Sequence, residues 1–148
     1  ALLITEIMQN PDTISDANGE WFEVLNTSTQ VINLNGWTIR DNDFDSFVVD
    51  QDVFIGVGEY AVLGKNADTS VNGGITLAYA YGGSMALANG ADELVLVDPD
   101  GNIVDEITYA LPLEAFRSIV HPLFIKPQLK QIFSFRFQII QDKFNNKK

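Results

Sequence analysis

The stretch NGEWFEVLN, residues 18–26, places two glutamates beside two large aromatic residues within nine positions. Side chains alternate between faces along a strand, so Glu20 and Glu23 should point to opposite sides and lie about 10 Å apart. That separation disfavours two carboxylates acting on one bond. We therefore interpret the stretch as a strand with one glutamate at its end. Trp21 and Trp37 are expected to pack in a core, with stacking on a sugar or base as the alternative.

Short runs of β-forming residues, separated by clusters of Gly, Asn and Asp, recur along residues 2–109. A spacing of ~8–15 residues is typical of β-sandwiches and barrels. The clearest local signal is DELVLVDPDGNIVDEITY, where Pro99 and Gly101 suit a tight turn between two alternating runs and predict a hairpin. Further expected elements are strands in LLITEIM (2–8), VINLNGWTIRD (31–41, entered at Gly36) and ITLAYAY (75–81), and a loop crossing the sandwich in YGGSMALANG (81–90).

Composition excludes several classes of site. The 148 residues include no cysteine and one histidine, His121, which excludes thiolate catalysis, cysteine-ligated zinc and a histidine-rich zinc site. Residues 1–110 carry eighteen acidic residues against Arg40 and Lys65, a formal charge of −16. Nucleic-acid affinity comes mainly from Lys and Arg, so we do not expect residues 1–110 to bind nucleic acid. The acidity favours either solubility or attraction of divalent cations.

Residues 111–148 differ in character from what precedes them. They carry seven basic and two acidic residues, a formal charge of +5, and are rich in Phe, Ile, Lys, Gln and Asn. Read-through of an A/T-rich coding sequence would give the same composition, so we interpret them as an atypical basic, aromatic tail that could be a non-native or frameshifted end. Nowhere does the chain hold the ~20 apolar residues of a transmembrane segment, and Ala1 does not begin a signal peptide.

The acidic loop DNDFDSFVVDQD, residues 41–52, has the spacing of calcium ligands. Asp41, Asp43 and Asp45 occupy positions 1, 3 and 5 of a twelve-residue window, as in a calcium loop. Ser46 stands where such loops require glycine, and strands rather than helices should flank the window, so an EF-hand is not expected. A looser calcium site at the three aspartates is one interpretation, and turn formation is the other. Asp52, at position 12 of the window, is a further candidate ligand. Asp12, Asp16 and Glu20 form a second candidate set for a calcium site of this kind.

Three patterns in order carry a family resemblance. They are an initial IxEI strand (Ile4, Glu6, Ile7), a GE-aromatic-xE-hydrophobic-x-N strand (Gly19, Glu20, Trp21, Glu23, Val24, Asn26) and an LxGW strand (Leu34, Gly36, Trp37), followed by a glycine-led hydrophobic segment at residues 57–63 and the DPDGN hairpin. Together, over about residues 2–109, they resemble the lamin-tail domain, the immunoglobulin-like sandwich of nuclear lamins that also occurs in exported bacterial proteins.

The resemblance implies an all-β, immunoglobulin-like sandwich in residues 1–110. It further implies a noncatalytic binding or anchoring module of an exported bacterial protein, secreted or at the cell surface, that attaches to a protein or surface partner and needs no cofactor. The alternative is an accessory or Ca/Mg-binding domain of a secreted nuclease or phosphoesterase. The family's further strand after Tyr109 is replaced here by the tail. An edge left unclosed would favour a homo-oligomer through strand pairing.

Overall fold

The strand at residues 21–26 lies inside a sheet, with an antiparallel neighbour on each side. The computed structural model describes residues 1–110, and the tail predicted at residues 111–148 lies outside the described residues. In chain order the elements are β1 (Leu2–Met8), α1 (Asp16–Gly19), β2 (Trp21–Asn26), β3 (Ile32–Asn33), β4 (Thr38–Arg40), β5 (Ser46–Val48), β6 (Phe54–Ile55), β7 (Tyr60–Gly64), β8 (Tyr79–Ala80), β9 (Ala91–Val97) and β10 (Ile103–Ala110).

The strands form two four-stranded sheets and a ribbon. One sheet has the order β1-β2-β7-β8, the other has the order β10-β9-β4-β5, and β3 pairs with β6 in the ribbon. Buried side chains from both four-stranded sheets, such as Phe22, Val24, Ile39, Leu94 and Leu96, join one hydrophobic cluster. This confirms the all-β, immunoglobulin-like sandwich predicted from the sequence. Within residues 1–110, no helix has the length and hydrophobicity to cross a bilayer.

A β-bulge explains why neither face of β1 is uniformly apolar. The pairing with β2 runs from Leu2 opposite Asn26 to Ile4 opposite Val24, and then shifts by one residue before Glu6. The extra residue moves the inward positions from Leu2 and Ile4 to Ile7, and all three are buried. A strict period of two therefore fails in this strand although it lies against the core.

Side-chain contacts join the two four-stranded sheets at both pairs of edges. The backbone amide of Ile4 donates to the Asp105 carboxylate at 2.7 Å, which joins the bulged part of β1 to a register shift in β10. On the other margin, the Tyr79 hydroxyl donates to Asp50 at 3.0 Å. The rings of Phe47 and Tyr79 stack there with centroids 5.8 Å apart. Bulges and charges of this kind oppose strand addition at an edge, and homo-oligomerisation through an edge stays a prediction.

The β9–β10 hairpin is confirmed, and its turn has the expected chemistry. Gly101 has φ 87°, a conformation that favours glycine. The Asp98 carboxylate accepts hydrogen bonds from the backbone amides of Asp100 and Asn102, at 3.0 and 2.8 Å. These contacts hold the pKa of Asp98 below its ordinary value, with the Asn102 side chain as the largest cause.

The segment between the two sheets was predicted in part. Residues 81–90 do cross from β8 to β9, and Tyr81, Met85 and Leu87 enter the core from this loop. The strand expected over residues 75–81 was too long, because the strand that forms, β8, covers only Tyr79–Ala80. Asn72 explains the loss, since its side chain binds both the amide and the carbonyl of Ile75 and holds the chain in a loop.

Asn26 organises the end of the sandwich where β2 finishes. It is fully buried, and its side-chain amide donates to the carbonyls of Gln30 at 2.7 Å and Ile55 at 2.9 Å. Its side-chain oxygen accepts from the amide and the hydroxyl of Ser28, at 2.9 and 2.7 Å. All four hydrogen-bonding positions of the side chain are therefore used. The backbone of Asn26 also pairs with the 56–59 turn, through Gly58 and Glu59.

Replacing Asn26 with alanine should destabilise the domain by roughly 2–4 kcal/mol, because buried carbonyl and hydroxyl groups would lose their partners. Urea denaturation of the full chain measures this, with the exposed Thr29→Ala as control. A loss for Asn26→Ala no larger than that of the control would contradict the role assigned to Asn26.

Candidate functional site

Glu20 lies at the junction of α1 and β2 and forms a buried ion pair. Its Oε2 atom is 2.9 Å from Nζ of Lys65, with side chains only 3% and 12% exposed. The backbone amide of Leu87 donates to the same carboxylate oxygen at 3.0 Å. Three segments that are distant in the chain, the start of β2, the end of β7 and the 81–90 loop, therefore meet at one carboxylate.

The ion pair follows directly from the register of β2 and β7. Trp21 pairs with Gly64, so Glu20 and Lys65 are the next residues opposite each other. The backbone confirms the pairing, because the Lys65 amide donates to the Glu20 carbonyl at 3.0 Å. A shift of one residue would place a glycine or an asparagine opposite Glu20 and leave its carboxylate without a cation.

Burial is the largest influence on Glu20 and raises the pKa of its carboxyl above the ordinary value. The Leu87 amide and Lys65 act in the opposite direction, because both favour the charged form. A carboxyl with a raised pKa inside a protein is also a pattern found in catalytic acids. Here one carboxylate oxygen, Oε2, contacts both Lys65 and the Leu87 amide, so the side chain joins segments of the fold to one another.

Tyr81 and Tyr109 lie near Glu20 and differ in whether the hydroxyl has a hydrogen-bond partner. Burial is the main cause that raises the pKa of both phenols, and the negative charge of Glu20 adds to it. The Tyr109 hydroxyl donates to the Ala88 carbonyl at 2.9 Å. The Tyr81 hydroxyl is buried and, in the part of the chain that the structure describes, has no hydrogen-bond partner.

Glu23 lies apart from this site, as the strand geometry predicted. Its Oε1 atom accepts a hydrogen bond from the Thr5 hydroxyl of β1 at 2.8 Å. Glu20 stands just before β2, which confirms that one glutamate lies at the strand end. The contacts described for the two acids are therefore with different residues, Thr5 for Glu23 and Lys65 and Leu87 for Glu20.

The acidic loop predicted to bind calcium is occupied by internal hydrogen bonds. One oxygen of Asp41 accepts from the amides of Asp43 and Asp45, at 2.9 and 3.0 Å. Asp45 in turn accepts from the amide of Ala86 at 3.0 Å. Across residues 1–110, no group of three or more His, Cys, Asp or Glu side chains is arranged to hold a metal ion. Calcium binding at Asp41, Asp43 and Asp45 stays a prediction.

Both tryptophans are buried, as expected for packing residues. Trp37 belongs to the hydrophobic core cluster. Trp21 lies beside Gly64, where an added Cβ would approach Leu77 to 2.9 Å and Trp21 to 3.0 Å. The single histidine, His121, falls outside the described residues.

The order of the strands along residues 1–110 agrees with one domain family. Residues 1–110 match the family model described as Lamin Tail Domain. The chain belongs to the lamin tail domain family. No curated protein matches the chain. Membership of this family identifies residues 1–110 as an immunoglobulin-like module of a noncatalytic family. Glu20 and Asn26 lie at the two ends of its β2 strand.

Sequence reasoning missed Lys65, Leu87 and Asp105 as partners within this lamin tail domain. Their contacts join residues that are far apart in the chain, and no local pattern identifies a backbone amide such as that of Leu87. One signal was available for Lys65. It is one of only two basic residues in an acidic domain, and a buried acid elsewhere would need such a partner.

Replacing Lys65 with methionine should cost about 3–5 kcal/mol, because it leaves a buried carboxylate without its cation. The double variant Glu20→Gln/Lys65→Met should recover part of this loss, since glutamine keeps an acceptor for the Leu87 amide. Denaturant titrations of the full chain measure both, with the exposed Glu106→Gln as control. A double variant less stable than Lys65→Met would contradict this account.

The two tyrosines give a matched pair. Removing the unpaired hydroxyl in Tyr81→Phe should leave the domain equally stable or about 1 kcal/mol more stable, whereas Tyr109→Phe should lose about 1 kcal/mol with its hydrogen bond. Thermal and urea unfolding of both variants tests the contrast. A clear loss of stability in Tyr81→Phe would show that its hydroxyl has a partner.

Proposed function

We propose that residues 1–110 act as a noncatalytic binding module of an exported bacterial protein, attaching it to a protein or cell-surface partner. The observation that carries the proposal is the state of Glu20, the buried acid that most resembled a catalytic group. Its carboxylate is engaged by Lys65 and by the Leu87 amide, which couples three segments of the fold.

Membership of the lamin tail domain family supports the same function, since this family supplies immunoglobulin-like binding and structural modules. The surface chemistry adds to it. Arg40, the other basic residue of residues 1–110, is engaged by the Asp41 carbonyl and the Asn42 side chain, at 2.9 and 2.6 Å. A strongly acidic surface with its cations engaged internally repels phosphate backbones and suits partners that present positive charge.

The proposal is tested with the full chain immobilised on a resin and exposed to bacterial extracellular and cell-wall fractions. We expect saturable retention of a protein or wall component, compared with a resin carrying an unrelated protein of similar negative charge. In parallel, phosphomonoester and phosphodiester substrates are incubated with the chain in calcium or magnesium, and we expect no turnover.

Robust turnover that disappears when the metal is chelated would instead support the accessory domain of a hydrolase. Equal retention on the control resin would show that charge alone explains the binding. Either result contradicts attachment as the function of this module.

A further inference from the structure

Four large apolar side chains stand exposed at the end of the sandwich that Asn26 organises. Val31, Phe54, Val57 and Tyr60 are 61%, 66%, 56% and 57% exposed, and we call them the end patch. With each exposing on the order of 100 Å², they amount to a few hundred Å² of apolar surface. The four residues are neighbours in the chain or across the β3–β6 ribbon, and an exposed group of this kind is a candidate interaction site.

The register of the β3–β6 ribbon brings the patch together. Ile32 is opposite Ile55 and Asn33 is opposite Phe54, so side chains alternate between an inner and an outer face. Ile55 faces inward and is buried, whereas Phe54 is exposed on the outer face. Val31, one residue before Ile32, stands opposite Gly56 on that outer face. Val57 follows in the turn, and Tyr60 begins β7.

Polar contacts bind the backbone next to the patch residues. The Asn26 side chain binds the carbonyls of Gln30 and Ile55, which lie next to Val31 and Phe54 in the chain. The turn that carries Val57 is closed by Glu59, whose Oε2 accepts from the Gly56 amide at 3.0 Å. Apolar groups on a preorganised surface lose little conformational freedom on binding, which favours affinity.

Within the described residues 1–110, acidic side chains border the patch, and neither of the two basic side chains does. Glu59 lies in the turn between Val57 and Tyr60. Asp52 accepts from the side chain of Asn33, directly across from Phe54, and from Asn35, at 2.8 and 2.9 Å. These hydrogen bonds hold the pKa of Asp52 below its ordinary value, so it is anionic at neutral pH. Both basic residues of the described domain, Arg40 and Lys65, are engaged elsewhere.

We propose that the end patch is the docking surface of this module and that it takes a protein partner presenting apolar side chains edged by Lys or Arg. This rests on the proposed function and specifies the surface that carries it. The acidic border selects against anionic membranes and nucleic acid, which carry the same sign of charge. Residues 1–110 of a second copy also carry the same sign of charge, with a formal charge of −16.

Phe44 supplies a matched control. It is 97% exposed, lies among Asp41, Asp43 and Asp45, and is outside the end patch. Replacing it with serine removes one almost fully exposed aromatic side chain from another acidic setting. A probe attracted only by charge and general hydrophobicity should respond to both positions alike.

The test uses the full chain and three labelled synthetic peptides of equal length, built from Leu and Lys, from Ser and Lys, and from Leu and Glu. Binding is followed by fluorescence anisotropy at two salt concentrations. We expect the Leu/Lys peptide to bind best, and Phe54→Ser/Tyr60→Ser to weaken it by about tenfold or more, while Phe44→Ser changes it less than twofold. Thermal unfolding of each variant verifies that it remains folded.

Four results would overturn the proposal. Equal loss in Phe44→Ser would show that the patch is not specific, and equal binding of the Ser/Lys peptide would show that charge alone acts. Tighter binding to neutral lipid vesicles than to the Leu/Lys peptide would make the patch a membrane contact. If the double serine variant still retains its partner from extracellular fractions as the wild type does, attachment stands but the end patch is not its site.

Discussion

The side-chain amide of Asn26 is the contact on which one whole end of the sandwich depends. A strand that ends inside a protein leaves backbone groups that water cannot reach, and each costs about 1–3 kcal/mol when unpaired. A buried asparagine can satisfy such groups of both kinds, since it donates twice and accepts twice. Asn26 does so for two segments at once, the loop that holds Ser28 and Gln30 and the β6 strand at Ile55. Its side chain therefore ties the loop before the β3–β6 ribbon to β6.

The opposite end of β2 is fastened by charge. The Glu20–Lys65 pair is a direct cross-strand pair, and its burial makes any register in which the two do not meet costly. A neutral residue pair would pack equally well but would discriminate less between registers. We infer that the ion pair specifies the alignment of β2 with β7, whereas the surrounding apolar side chains supply most of the stability.

The elements that the sequence predicted are those governed by neighbouring residues. The β9–β10 hairpin follows from Pro99 and Gly101, and the strand at residues 21–26 follows from its alternation. The bulge in β1, the division of the strand expected over residues 31–41 into β3 and β4, and the shortening of the segment before β8 were not predicted, because each depends on a distant partner. Asn72 shows the limit clearly, since a side chain that binds the backbone of Ile75 overrides a strong β propensity.

The candidate site was less predictable than the fold for the same reason. Strand geometry correctly separated Glu20 from Glu23, but it could not supply the partners of either. Lys65 is 45 residues beyond Glu20 in the chain, and the Leu87 amide carries no signature in its side chain. The spacing of Asp41, Asp43 and Asp45 suggested metal ligands, yet Asp41 and Asp45 accept hydrogen bonds from backbone amides. Spacing identifies which side chains could meet, and only the fold determines what they contact.

The bond between the Ile4 amide and Asp105 has a consequence for how the domain is made. It joins residues separated by 101 positions, so the first strand cannot complete this contact until nearly all of residues 1–110 have been synthesised. At roughly 5–20 residues per second, the margin of β1 that this contact later covers stays open for several seconds on the ribosome. During synthesis, β1 is therefore exposed at this edge until β10 has been made, and the nascent domain must remain soluble during that interval.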